Sequence, residues 1–329
     1  MKNKMLVLFM AISGMFLFTH CGKGAKEGGR LKIAGIIFQE DQFFRLVLSG
    51  MREQAKAMNV DLLEANSNNK MEKEIELINT YIARKAAAIC ISPLSQTGSV
   101  TALKLAHDNG LKVVCYNTSI FTEAVSANVE CSAADLGEQT GKAAREFIQK
   151  NLGGKAKIAI VAFKSQVPEQ SDARTGGFKK EATQLSGVQI IAEQDGWLAE
   201  MAVKKVGDIM TANPDVNIIY AANEGGTIGA VLAVKNAGKA GQVFVFGTDV
   251  NEQLLEFLKS SDGILQAITA QQPVEVGRRA LEFSVKAAQN NPVEKSLYLS
   301  GVCLSRTDLA AVQAYQIQLT EWIKNAGSR

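Results

Sequence analysis

Short apolar runs alternate with amphipathic segments along nearly the whole chain, and this alternation restricts the fold more than any other feature of the sequence. The amphipathic segments carry apolar side chains at helical spacing, as Ile75, Ile78 and Ile82 illustrate. Strands that alternate with helices are typical of a parallel sheet covered by helices. We therefore predict strands at 31–38, 60–64, 87–91, 112–116 and 125–129, and again at 157–162, 188–193, 217–221, 242–246 and 265–269.

The pattern forms two successive series of strand–helix units, which predicts two similar α/β domains, each a doubly wound parallel sheet. Helices are predicted at 44–58, 72–85, 99–109, 136–152, 174–185, 201–212, 227–237 and 252–259. The second series leaves over three elements, a helix at 274–290, a strand around 297–303 and a terminal helix at 308–324. We expect these elements to cross back and complete the first domain, so that several crossings form a multi-segment hinge. The predicted N-terminal lobe is 31–132 plus 272–302, and the C-terminal lobe is 133–271 plus 303–329.

The N-terminus has the pattern of an export signal. Lys2 and Lys4 precede an apolar run at 5–18, which is shorter than the ~18–20 residues that cross a bilayer. Cys21 and a Gly/Lys-rich tether at 21–30 follow, which indicates a signal peptide at 1–20 and a lipoprotein anchored by a lipid on Cys21. His20 stands where such signals place a small residue, so an ordinary export signal with an incidental cysteine stays open. Either form predicts a periplasmic or cell-envelope protein.

Charge and cysteine content exclude several functions. A net charge of +3 with no basic block argues against a nucleic-acid partner. The cysteines show no CxxC pair and no metal-ligand spacing, so we expect no metal or cofactor, and any disulfide pairing stays undecided. Beyond the leader His107 is the only histidine, which disfavours His-dependent catalytic sites.

Polar and aromatic side chains follow the predicted strands, at the edge where open parallel sheets bind ligands. Carboxylates, amides and a guanidinium can pair with the donor and acceptor of each sugar hydroxyl, and Phe43 or Phe44 could sandwich a sugar ring with Trp197. Each residue alone has a structural alternative. Asp249 and Asn223 could cap helices, the phenylalanine pair could be core, and Arg174 could be a surface charge.

At these residues the chain resembles the periplasmic sugar-binding proteins of the ribose/galactose type, which are related to the ligand-binding halves of LacI-type repressors. The similarity spans 31–303 and is carried by the segments 41–44, 91–93, 173–178, 213–216, 221–224, 246–249 and 270–273. The resemblance implies a monomer of two domains with a three-segment hinge. It would close on a monosaccharide or small polyol, without catalysis, and deliver it to an ABC permease in the inner membrane. Ligand contacts would fall to Asp41, Phe43, Phe44, Asn117, Arg174, Trp197, Asn223, Asp249 and Gln271.

Departures from the ribose pattern leave the ligand open. Asp41 stands where ribose-type proteins carry Asn, and Asn117-Thr118 stand where they carry an Asp-Arg pair. A polyol, a nucleoside or an autoinducer-2-like quorum signal is therefore an alternative to a sugar. The same fold could also serve a sensory binding protein that feeds a kinase or chemoreceptor.

Two further functions are disfavoured by the residues themselves. Glycoside hydrolysis by Asp41, Asp172 and Asp249 would use paired carboxylates, but no nucleophile–base motif or phosphate loop accompanies them. A LacI-type repressor is excluded because no recognition helix fits within the leader and tether.

Overall fold

The computed structural model describes residues 30–327, which form two α/β lobes, each built on a six-stranded sheet. The predicted signal peptide, Cys21 and nearly all of the tether lie outside the described residues. The first lobe opens with β1 (Lys32–Ile37), α1 (Gln42–Met58), β2 (Asp61–Asn66), α2 (Met71–Ala83), β3 (Ala88–Ile91), α3 (Val100–Asp108), β4 (Lys112–Tyr116) and β5 (Ala127–Cys131).

The second lobe follows, and four closing elements end the described chain. The second lobe contains α4 (Ala133–Asn151), β6 (Lys155–Ala162), α5 (Pro168–Ala182), β7 (Gly187–Asp195), α6 (Ala199–Ala212), β8 (Ile218–Ala221), α7 (Glu224–Asn236), β9 (Phe244–Thr248), α8 (Glu252–Lys259) and β10 (Leu265–Ala270). The closing elements are α9 (Pro273–Ala288), β11 (Ser296–Leu299), β12 (Val302–Ser305) and α10 (Leu309–Gly327). Among the described helices none is long and apolar enough to cross a membrane.

The two sheets share one strand order. The first runs β11-β5-β4-β3-β1-β2 with every pair parallel, and the second runs β12-β10-β9-β8-β6-β7. Central strands such as β3 and β8 are buried at every residue, which fits sheets covered by helices on both faces. The predicted pair of doubly wound domains is confirmed. The pattern did not reveal that β12 pairs antiparallel with β10.

The chain crosses between the lobes at three places, after β5, after β10 and between β11 and β12. The single strand predicted around 297–303 is wrong, because two strands in different sheets occupy this stretch. Gly301 lies between them, and a Cβ there would come within 2.5 Å of the Thr269 side chain and 2.7 Å of Leu136. Its N–H donates to Asp135 Oδ2 at 2.8 Å, so the chain is pinned where it changes lobe.

The start of α5 also differs from the prediction. The sequence predicted a loop up to Asp172 and a helix from Arg174, whereas α5 begins at Pro168. Proline suits the first helical turn because its fixed φ matches the helix and its missing N–H costs no bond there. Arg174 therefore lies in the second turn of α5 and not at its start.

Candidate functional site

A cleft of about 700 Å³ lies between the two lobes, at the carboxyl ends of the parallel strands. Its volume falls in the range of roughly 300–1,000 Å³ that is usual for small-molecule sites. All nine residues singled out from the sequence line this one cleft, namely Asp41, Phe43, Phe44, Asn117, Arg174, Trp197, Asn223, Asp249 and Gln271. That they contact a ligand stays a prediction.

Asp41 opens the first-lobe wall of the cleft and also caps α1. Its Oδ1 accepts a hydrogen bond from the Phe44 N–H at 2.9 Å, and its Oδ2 accepts one from Gln39 Nε2. Phe44 is 3% exposed and packs edge-on against Phe38, with ring centroids 4.6 Å apart, so this ring belongs mainly to the core. Phe43 is half-buried and offers the more accessible aromatic surface.

Asn117 connects the first lobe to the second. Its backbone has a φ of 61°, in the left-handed region that Asn tolerates better than most residues. Its carbonyl oxygen accepts a hydrogen bond from Gln170 Nε2 of α5 at 3.2 Å, and its Nδ2 donates to Ser92 Oγ at 3.3 Å. This strand end therefore carries a direct polar contact across the cleft.

Arg174 and Asp249 form a buried ion pair on the second-lobe wall. The Arg174 side chain is 6% exposed, and its Nη1 donates to Asp249 Oδ2 at 3.0 Å and to the Ala222 carbonyl oxygen at 2.9 Å. The guanidinium also lies 5.1 Å from the centroid of the Phe163 ring, a cation–π contact. A buried charge needs such partners to offset its desolvation. Arg174 is thus fixed in the site and is not a solvated surface charge.

Asp249 also joins the hinge to this pair. Its Oδ1 accepts from Gln271 Nε2 at 2.8 Å, and Gln271 follows β10 at the second lobe crossing. The φ of Asp249 is 71°, in the left-handed region that Asp and Asn adopt more readily than most other residues. Asn117 and Asp249 thus hold similar backbone conformations on opposite walls of the cleft.

Asn223 and Trp197 form the far end of the second-lobe wall. Asn223 caps α7 with its Oδ1, which accepts from the Gly226 N–H at 3.2 Å, and its Nδ2 donates to the Trp197 carbonyl oxygen at 2.9 Å. A Cβ at Gly225 would come within 2.3 Å of that same carbonyl oxygen, so the start of α7 packs closely on the Trp197 backbone. The half-buried indole is thereby held at the cleft.

Glu224 lines the cleft and was not identified from the sequence. Burial between the cleft walls raises the pKa of Glu224 to about 7, and the negative charges of Asp249 and then of Asp41 in the opposite lobe add to the increase. The residue is nevertheless exposed to the open cleft, so solvent screens part of this effect. The sequence could have indicated Glu224 as a cleft residue, because it directly follows Asn223 at the end of a predicted strand.

Other cleft residues were also missed. Phe163 and Gln170 fell in the stretch predicted as a loop, and Tyr315 and Leu319 belong to α10, which no strand-end argument could reach. Among the described residues the four cysteines are unpaired, and no group of three or more His, Cys, Asp or Glu could hold a metal ion. The arrangement offers carboxylates, amides, a fixed guanidinium and aromatic faces, which together suit a hydroxyl-rich molecule.

Comparisons with known proteins agree with this geometry. The sequence model of a family described as "Periplasmic binding protein domain" matches residues 36–292. The ABC transporter periplasmic-binding protein YphF of Escherichia coli is 29% identical over 270 residues, 80% of each chain. The D-allose-binding periplasmic protein of the same organism is 25% identical over 299 residues, 88% of this chain and 94% of that one. An ABC transporter periplasmic solute binding protein from Actinobacillus succinogenes, solved with bound D-allose, superposes with a TM-score of 0.76 at 26% identity, covering 85% of this chain and 99% of the other.

Proposed function

The chain belongs to the periplasmic binding protein domain family, and from that membership we propose that it captures a monosaccharide or small polyol between its lobes for an ABC transporter. The main support is that polar and aromatic side chains from both lobes line one cleft, at the carboxyl ends of the parallel strands of two sheets with the same strand order. Two proteins that are each 25% identical to this chain are named for D-allose and ribose, and a structural neighbour was solved with bound D-allose.

The second lobe supplies the rigid half of the site. The Arg174–Asp249–Gln271 cluster holds its geometry through its own hydrogen bonds before any ligand arrives. Such pre-organisation reduces the entropy lost on binding. The ligand's hydroxyls would bond the free lone pairs of Asp249 and the remaining guanidinium donors, while its C–H face would stack on Trp197.

The first lobe supplies the half that completes the site on closure. Asp41, Asn117 and the half-buried Phe43 ring face the second lobe across the cleft. A ligand that contacts both walls favours the closed state by its differential affinity for that state. The hinge formed by the three crossings permits this motion, and the ligand would be released chemically unchanged.

The proposal includes delivery of the ligand to a permease and attachment of the protein to a membrane. An ABC permease in the inner membrane would receive the ligand, and a lipid on Cys21 would hold the monomeric protein at a membrane surface in the periplasm. The anchor is tested by replacing Cys21 with serine. The parent protein should partition into a detergent phase and the Cys21→Ser variant into the aqueous phase, whereas equal partitioning of the two would rule out the lipid.

The ligand proposal is tested by calorimetric titration of the exported protein with D-allose, D-ribose, D-arabinose, myo-inositol, xylitol and glycerol. We expect at least one to bind. Asp249→Asn should weaken that binding roughly 10- to 150-fold, because bonds to a charged group contribute about 1.5–3 kcal/mol. Trp197→Ala should also weaken it through lost stacking.

Asp215→Asn is the matched control, because Asp215 pairs with Lys157 at an exposed site outside the cleft. It should leave affinity unchanged. If no sugar or polyol binds, or if Asp249→Asn and Trp197→Ala bind as tightly as the parent, the proposal fails.

A further inference from the structure

The C-terminal helix α10 contacts both lobes beside the cleft. Gln316 accepts a hydrogen bond from Lys259 and donates one to Glu256, both on α8 of the second lobe, at 2.8 and 2.9 Å. Ten residues later the Ala326 carbonyl oxygen accepts a bond from Arg52 of α1 in the first lobe at 3.3 Å. The match to the family ends at residue 292, so α10 lies outside the matched residues.

The middle of α10 forms part of the cleft wall. Tyr315 and Leu319 line the cleft together with Leu46 of α1 and Pro273 of α9. Leu319 and Leu46 are 1% and 3% exposed and belong to one apolar cluster that continues into the second-lobe core. The apolar core therefore runs from one lobe to the other through this helix, and Tyr315 is held in its middle.

Tyr315 is a buried residue whose hydroxyl has no protein partner within residues 30–327. The residue is 8% exposed, and its ring packs edge-on against Trp322 with centroids 6.1 Å apart. Burial raises the pKa of Tyr315, and the proximity of the Cys131 thiol raises it further. Since Cys131 ends β5 at the first crossing, the hydroxyl lies toward the hinge end of the cleft.

The hydroxyl oxygen of Tyr315 is not itself fully buried, and the residue lines the cleft. A tyrosine with a buried ring usually finds a hydrogen-bond partner for its hydroxyl, and a ligand in the cleft can supply one. The apolar neighbours of Tyr315, Leu46 and Leu319, offer no side-chain acceptor or donor of their own. A hydroxyl that can both donate and accept matches the hydroxyls of a sugar or polyol.

We infer that Tyr315 is a ligand-binding residue of this cleft, whose hydroxyl bonds one hydroxyl of the bound sugar or polyol near the hinge. The inference rests on the proposed function and adds a contact from outside the two sheets. It makes α10 part of the binding site, so that a helix anchored on both lobes contacts the ligand directly.

The test compares Tyr315→Phe with the parent protein by calorimetry, using the six sugars and polyols named above. Phenylalanine keeps the ring packing and removes only the hydroxyl, so the melting temperature of the ligand-free protein should not fall. We expect the dissociation constant of the best-binding compound to rise roughly 3- to 10-fold, as for one neutral hydrogen bond. Tyr298→Phe is the matched control, since Tyr298 is 52% exposed and lies outside the cleft.

Deoxy analogues of that compound separate a direct contact from a structural effect. Removing the hydroxyl that Tyr315 contacts should weaken binding to the parent but not further weaken binding to Tyr315→Phe, a coupling that a merely structural role would not produce. If Tyr315→Phe binds within twofold of the parent, the partner is water and the inference is wrong while the function stands. If the parent binds none of the six compounds, the function and the inference both fail.

Discussion

Several residues of the cleft combine a structural bond with free binding capacity. Asp41 uses one lone pair to cap α1, and Asn223 uses its carbonyl oxygen to cap α7. A carboxylate can accept about four hydrogen bonds, so a capping bond leaves most of its capacity for a ligand. A residue that caps a helix can therefore also contact a ligand, so the two roles considered from the sequence do not exclude each other. Capping bonds fix the side chains in the orientation that a ligand would meet.

The pKa of Glu224, about 7, lies above the ordinary value of 4.5. The folded state then binds a proton more tightly than the unfolded state. The protonated Glu224 therefore stabilises the folded state fully below about pH 4.5, and this stabilisation is lost as the pH rises through about 7. The melting temperature of the ligand-free parent protein should therefore fall between about pH 5 and pH 8, on either side of that pKa. In Glu224→Gln, which cannot titrate at this position, the fall should be smaller.

Glu252→Gln is the control for this measurement, since Glu252 occupies the same first-turn position in α8 that Glu224 occupies in α7. It should leave the pH profile of the melting temperature unchanged. Identical profiles for the parent and Glu224→Gln would show that Glu224 does not titrate in this range.

Residue identities at strand ends were readable from the sequence, whereas their partners were not. The rule that ligands lie beyond the carboxyl ends of parallel strands singled out Arg174 and Asp249. That these two form a buried pair was not readable from the sequence pattern, because they are 75 residues apart and belong to different strand–helix units. Tyr315 could not be predicted, because nothing local indicates that a C-terminal helix reaches the cleft.

At the scale of elements, the packing of α4 against α5 positions Arg174. A Cβ at Gly137 of α4 would lie 1.9 Å from the Arg174 carbonyl oxygen, so only glycine allows the two helices to approach this closely. We predict that Gly137→Ala displaces α5 and lowers the free energy of unfolding by about 1–3 kcal/mol, the usual cost of overpacking. It should also weaken sugar binding, because Arg174 moves with the helix.

Gly176→Ala is a control on the same pair of helices, since a Cβ at Gly176 of α5 would meet nothing within 4 Å. Alanine there should raise the free energy of unfolding by about 0.5–1 kcal/mol through helix propensity and leave affinity intact. Urea denaturation of the parent and of both variants measures these changes in the free energy of unfolding. Equal stability of Gly137→Ala and Gly176→Ala would contradict the role of this contact.

For the whole molecule, the alternation of strands and helices was enough to predict two similar parallel-sheet domains. The pattern was not enough at the end of the chain, where a run that reads as one strand divides at Gly301 between two sheets. Periodicity reports which faces are apolar, but not which sheet a strand joins. The crossings that create the cleft are therefore properties of the assembled lobes.

The most direct measurement is a crystal structure of the exported protein with the best-binding compound of the sugar panel. We predict that the compound is enclosed between the lobes. It should contact Arg174 or Asp249 on one wall and Asp41, Phe43 or Asn117 on the other. A compound bound on an outer surface, or touching only one lobe with the cleft left open, would contradict it.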